Sequence, residues 1–105
     1  MHNFSAALVQ HEGRVIIKVR GDVDGATAAE FAACLRVLAT ASAHVVIDVA
    51  EVELIAMAGI DVLIDALQRV GPAGSVTLRH PKAGTLKAVE TAGLCDLVKL
   101  ETSSA

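Results

Sequence analysis

The sequence has no tryptophan and no tyrosine, and its aromatic content, 2%, is Phe4 and Phe31 alone. So few rings cannot form the stacking platform that binds single-stranded nucleic acid. An excess of positive charge is missing too. Nine Lys and Arg against twelve Asp and Glu leave a formal net charge of −3 and no basic stripe for a phosphate backbone, so no direct nucleic-acid partner is expected. Long apolar runs are absent as well. The longest, residues 54–60, is closed by Asp61 and falls far short of the roughly 20 residues a membrane-spanning helix needs, so no membrane insertion is expected. No basic residue precedes Arg14 and no continuous apolar segment follows the start, which reads as a chain without a secretory signal and places it in the cytoplasm. The two cysteines, Cys34 and Cys95, have neither CxxC spacing nor a histidine companion and read as small buried thiols.

What is present is aliphatic. Of 105 residues, 53% are hydrophobic, enough for a single domain over residues 1–105 to bury a core without disulfide or metal. Residues 6–10 and the β-branched residues 15–19 read as a hairpin turning at residues 11–13. Thr27 and Glu30 have the spacing of a capping box, in which Thr27 accepts from the Glu30 amide and the Glu30 carboxylate reaches back to the amide of Thr27. The helix that follows, to about residue 41, buries Ala28, Phe31, Leu35 and Leu38. Residues 45–49 are almost continuously apolar, as in a central strand buried on both faces. A second helix turns Ile60, Leu63, Ile64 and Leu67 inward and Asp61, Asp65, Gln68 and Arg69 outward, ending at residues 71–74. Residues 75–79 form a strand. Residues 82–91 form a third helix, with Ala83, Leu86 and Val89 inward and Gly93 at C′; residues 96–100 form a last strand before a frayed polar tail. The order β-β-α-β-α-β-α-β is α/β, with a mixed sheet and helices packed mainly on one face.

Chemistry is scarce. Phosphate-cradle glycine motifs, HExxH and GxSxG are all missing, and His2, His11, His44 and His80 have no spacing that joins them to each other or to a cysteine. No catalytic residue, cofactor or metal is therefore expected. The carboxylates Asp22 and Asp24 fit a turn that favours the next helix N-terminus better than an acid–base pair. The informative stretch is residues 54–61. A helix start normally offers Ser, Thr, Asp or Asn to its unpaired amides, and this one offers Ala56, Met57 and Ala58, at a cost of about 1 kcal/mol relative to a good cap. Gly59 in the first turn costs about 0.5 to 1 kcal/mol more. Either this start is buried against the rest of the fold, or it is an apolar docking surface.

The order of these motifs, from about residue 4 to residue 100, resembles the STAS domain of bacterial anti-sigma factor antagonists. Gly21-Asp22-Val23-Asp24 with Thr27-Ala28-Ala29-Glu30-Phe31 looks like that family's G-[ED]-[LV]-D turn and following helix. His44-Val45-Val46-Ile47-Asp48-Val49 resembles its central strand, and Pro81, Leu86, Val89 and Ala92-Gly93-Leu94 its third helix and closing turn. Leu54-Ile55-Ala56-Met57-Ala58-Gly59-Ile60 stands where the family has an apolar pair, D-S-S-G and an aliphatic residue. In the family an anti-sigma factor of histidine-kinase-like ATPase type phosphorylates the first serine of D-S-S-G, and the phosphorylated antagonist lets go.

Here the acid falls on Ala56, the phospho-acceptor on Met57 and the second serine on Ala58, while Gly59 is kept. No Ser or Thr lies between Ala43 and Gly74 to substitute. Met57 carries no charge and resembles the unphosphorylated state, so the resemblance implies an antagonist that regulates transcription through protein–protein contact and is not phosphorylatable at this position. The implied partner-binding residues are Asp22, Asp24, Ala56, Met57, Ala58, Gly59 and Asp61, an apolar centre with an acidic rim suited to a basic partner surface. A homodimer stays open. The competing readings are a STAS scaffold or accessory subunit of a transporter or stress-sensing complex, nucleotide binding, and a redox switch through Cys34 and Cys95.

Overall fold

The computed structural model describes residues 4–11 and 13–102, with eight elements in the order β1 (Ser5–His11), β2 (Arg14–Arg20), α1 (Ala28–Ala41), β3 (His44–Glu51), α2 (Met57–Val70), β4 (Ser75–Arg79), α3 (Ala83–Thr91) and β5 (Lys99–Glu101). Glu12 of the hairpin turn, residues 103–105 of the expected tail, and His2 lie outside the described residues. The strands form one sheet in the order β1-β2-β3-β4-β5; β1 is antiparallel to β2 and the other neighbours are parallel. This is the expected mixed α/β sheet with β3 at its centre.

Period-two alternation sets the core. Ile17 and Val19 of β2, Val45, Ile47 and Val49 of β3, and Val76 and Leu78 of β4 share one face and are buried with Phe31, Leu35 and Leu38 of α1 and Ile60, Leu63 and Ala66 of α2. α1 packs on α2 and on β1, β2 and β3, while α2 covers β4. The other face holds a row of Ile16, Val46 and the polar Thr77, which is also buried. An ion pair from Arg14 Nη1 to Glu101 Oε2, 3.1 Å, reaches from β2 to β5 across this side, so the long arms of charged residues cover what no helix covers.

Several expectations are corrected. The Thr27–Glu30 capping box does not form. Thr27 sits at φ −110°, ψ −10°, already helical, and makes no side-chain cap bond; its hydroxyl accepts from the Asp24 amide (3.0 Å) and donates to the Asp22 carbonyl (2.9 Å). Ala28 is only half-buried. On α2, Ile64 is exposed and Ala66 takes an inward place, because the buried arc is narrower than the apolar stripe. On α3, Ala83 is exposed and Thr85 is buried with Val89. The last strand begins at Lys99, because residues 94–98 close a tight turn through the amides of Leu97 and Val98 donating to the Leu94 carbonyl. Gly93 does stand just past α3, where its amide bonds the Glu90 carbonyl and the Leu94 amide reaches Val89. Cys34 is half-buried and Cys95 exposed, so only one thiol approaches the expected burial.

Candidate functional site

Because β2 and β3 are parallel neighbours, the chain leaves both at the same end of the sheet, and the two loops that follow run on side by side. Main-chain hydrogen bonds join them. The Gly21 amide donates to the Glu51 carbonyl (3.1 Å), the Val23 amide to Leu54 (3.0 Å) and the Ala56 amide to Val23 (2.8 Å), making an isolated parallel bridge between Val23 and Ile55. Both of those side chains are buried. Asp22 adds a carboxylate bond, with Oδ1 accepting from the Leu54 amide at 3.2 Å.

Asp24 is the organiser of the first loop. Its Oδ1 accepts from the Ala26 amide (2.9 Å) and the Thr27 amide (3.2 Å), while its carbonyl accepts from Thr27 and Ala28. The side chain therefore folds a turn that delivers the chain into α1, as expected of Asp before a helix. Asp22 and Asp24 are placed by different bonds, Asp22 tying the two loops together and Asp24 folding its own turn.

The second loop is held from both sides. Arg20 grips Glu51 with Nε to Oε2 (3.0 Å) and Nη2 to Oε1 (3.1 Å), and this hydrogen bonding draws the Glu51 carboxyl below its usual range. Lys82, just before α3, pairs with Glu53. Gly84 lets the first turn of α3 touch the loop backbone, since a Cβ there would lie 2.4 Å from the Glu53 carbonyl oxygen.

α2 starts from this support. Ala56 stands at the N-cap in extended conformation, φ −84° and ψ 175°, without a side-chain cap, and its carbonyl accepts from Gly59 (2.9 Å) and Ile60 (3.0 Å). Gly59 is buried directly on the bridge, where a Cβ would come within 2.6 Å of both Ile55 Cγ1 and Val23 Cγ1. The close approach turns Ile55, Gly59 and Ile60 in and leaves Leu54 and Met57 out, 52% and 69% exposed. Of the apolar residues in this stretch, Ile55 and Ile60 are buried against the fold and Leu54 and Met57 face outward. Asp61 and Ile64 follow Met57 on α2 at spacings of four and seven and are exposed with it; Asp65 pairs with Arg69 at 2.7 Å.

The site therefore brings Asp22, Asp24, Ala56, Met57, Ala58, Gly59 and Asp61 into one region, as a ledge without a nucleophile. Thr27, the hydroxyl of the adjoining loop, is buried with its oxygen engaged. Among the described residues no three His, Cys, Asp or Glu gather to hold a metal, and no helix is long and apolar enough to cross a membrane. His44 is exposed and bonds Ser75 through Nδ1 at 2.8 Å, at the start of β3 and so at the opposite end of that strand from this ledge. Sequence reasoning missed the Arg20–Glu51 clamp and the seat of α3 on Glu53. A signal existed for the first, opposite charges just past the ends of two successive strands, Arg20 and Glu51.

A family model described as "Mlab, STAS domain" matches residues 6–99. Among solved structures, an anti-sigma factor antagonist from Mycobacterium paratuberculosis superposes with TM-score 0.85 at 20% identity, covering 96% of this chain and 87% of that one. The anti-sigma factor antagonist SpoIIAA of Bacillus in its unphosphorylated form gives 0.74 at 17% identity, over 95% and 89%. A putative anti-sigma factor antagonist from Thermotoga maritima gives 0.73 at 16%, over 97% and 88%. No curated protein matches the sequence. At these identities the structural likeness establishes the fold.

Proposed function

The chain belongs to the STAS domain family, and from that premise we propose that it is an anti-sigma factor antagonist, regulating transcription indirectly from the cytoplasm by binding an anti-sigma factor of histidine-kinase-like ATPase type. The observation that carries this reading is the start of α2, where Leu54 and Met57 project from a rigid support beside Asp22 and Asp61. Burying an apolar side chain of this size is worth about 1.5 to 3 kcal/mol, so two half-exposed ones supply a useful part of a docking energy. The acidic rim selects a basic partner surface and speeds encounter more than it adds affinity.

On this reading the antagonist is constitutively competent. By the family resemblance Met57 stands at the phospho-acceptor position, and a thioether cannot receive the phosphoryl group whose charge of about −1.5 to −2 disrupts an interface. Activity would then be set by the amount of protein or by a signal acting elsewhere. Loss of the hydroxyl also suits the second reading, a scaffold or accessory subunit of a transporter or stress-sensing complex, for which switching is not required.

Pull-down from the native host separates these. Wild-type protein should retain a histidine-kinase-like ATPase, and Met57→Asp should weaken that capture at least about tenfold by placing a charge in the apolar centre. With that ATPase and ATP, residues 43–74 should gain no phosphate. Equal capture by both proteins, or a stable phosphate in that segment, overturns the assignment, and retention of a transporter ATPase instead favours the second reading.

A further inference from the structure

We infer that the free edge of β1 is a homodimer seam, at which two copies of this chain pair β1 against β1, antiparallel, about a twofold axis through Leu8. The two edges of the sheet are unlike. β5 is three residues long, contains Lys99 and Glu101, and is engaged by ion pairs from Glu101 to Arg14 and Arg79. Short, charged edges resist pairing with another chain.

β1 has none of that protection. It runs seven residues in uninterrupted register, from Ser5 opposite Arg20 to His11 opposite Arg14, with no Lys, Arg, Asp, Glu or Pro and no bulge. Among the described residues no strand lies on its outer side. Such an edge offers a row of main-chain donors and acceptors as a template for a further strand.

A second copy fits it best. Leu8 is the middle residue, so self-pairing over the whole strand sets Leu8 opposite Leu8 and Ser5 opposite His11. Leu8 pairs with buried Ile17 and so lies on the helix-bearing face, yet it is 44% exposed. α1 overlies the same strand, with Cys34 Sγ donating to the Ala6 carbonyl at 3.5 Å. About one turn further along α1, Val37 is 58% exposed, and with Leu8 and Val15 it forms the apolar end of a groove that runs on past His44 and Ser75 to Arg14 and Glu101. The seam thus combines edge hydrogen bonds with an apolar shoulder, and the paired strands themselves bring no charge into opposition although each chain carries a net −3.

Pairing consumes the exposed edge of both copies and leaves only the protected β5 edges, so a closed twofold dimer forms and growth stops there. A seven-residue strand is about 24 Å long. With the Val37 shoulder, the buried area falls near the low end of stable interfaces, about 1,200 Å², so the dimer should dissociate on dilution. No residue of the seam belongs to the ledge at residues 54–61, so dimerisation leaves that ledge open.

Sedimentation equilibrium of the full chain should show masses rising from one chain to two with concentration. Leu8→Lys sets two like charges across the axis at an already exposed position and should raise the dissociation constant at least about tenfold, with an unchanged circular dichroism spectrum. In a Cys95→Ser background, Leu8→Cys should form an intermolecular disulfide on mild oxidation, while Leu97→Cys, which lies outside the seam, should not. A wild-type chain that remains monomeric near millimolar concentration overturns the inference, as does a dimer indifferent to Leu8→Lys or a Leu8→Cys protein that fails to cross-link.

Discussion

At the scale of single residues, Gly59 and Asp24 have roles that can be separated from any partner. A methyl group at Gly59 would press on two buried side chains at 2.6 Å. Overpacking of this kind costs about 1 to 3 kcal/mol, and the helix-propensity gain from Gly to Ala, at most about 1 kcal/mol, is only partly realised in a first turn. Gly59→Ala should therefore destabilise by about 1 kcal/mol in urea unfolding; a stabilised variant would mean that Val23 and Ile55 repack freely. Asp24 uses an oxygen that asparagine also has, accepting from the Ala26 and Thr27 amides. Asp24→Asn should stay within about 0.5 kcal/mol of wild type, yet weaken capture of the anti-sigma factor several-fold if the charge faces it. Undiminished capture leaves Asp24 as a turn residue alone. These roles were only partly legible in the sequence. The T-x-x-E spacing at Thr27 and Glu30 has the right letters for a capping box, but the Asp24 carboxylate takes the Thr27 amide that Glu30 would reach, and the Thr27 hydroxyl is engaged with the Asp24 amide and the Asp22 carbonyl.

Among the elements, α2 begins without a side-chain cap or an acidic residue in its first turn, at the edge of the proposed docking ledge. Ala56 has the extended backbone of a good N-cap but lacks the acceptor. Ala56→Asp should add about 1 kcal/mol of stability, seen as a higher urea midpoint, since it supplies the cap and a negative charge at the positive end of the helix. No gain would mean that the first-turn amides are already satisfied in another way. The order of all eight elements was readable because strands here are continuous or alternating runs and helices carry stripes at 3.6 spacing. The faces were less so. Ile64 looks inward in a list of apolar positions, but α2 rests in the angle between α1 and β4, and Ala66 fills the place nearest to them. On α3 the inward phase falls on Thr85, and the seating of Gly84 on Glu53 is a contact between segments far apart in sequence that no local pattern encodes. The proposed docking ledge is marked in the sequence by its missing cap and by the family resemblance.

For the whole molecule, charge is arranged as fastening. Arg14 reaches Glu101 across the uncovered face, and Arg20 ties the ends of β2 and β3 through Glu51. Hydrogen bonding to Arg20 and to Arg14 holds the carboxyls of Glu51 and Glu101, respectively, below the ordinary value of 4.5. A carboxyl with a depressed folded-state pKa contributes stability that is fully present above its unfolded value and is lost as pH falls through the folded one. Thermal midpoints should therefore show no contribution from these groups to pH dependence above about pH 5.5 and a decline below 4.5, and Glu101→Gln should flatten part of that decline. The effect is small because both groups are open to solvent; an identical acid profile in the variant would assign the decline to other carboxylates. The bridge between Val23 and Ile55 has a different kind of consequence. It is made of main-chain atoms, so the ledge keeps its shape whatever side chains stand at positions 56, 57 and 58. Form and surface chemistry can then be inherited separately: substitutions at these positions change what the ledge presents while the main-chain bridge beneath it stays in place.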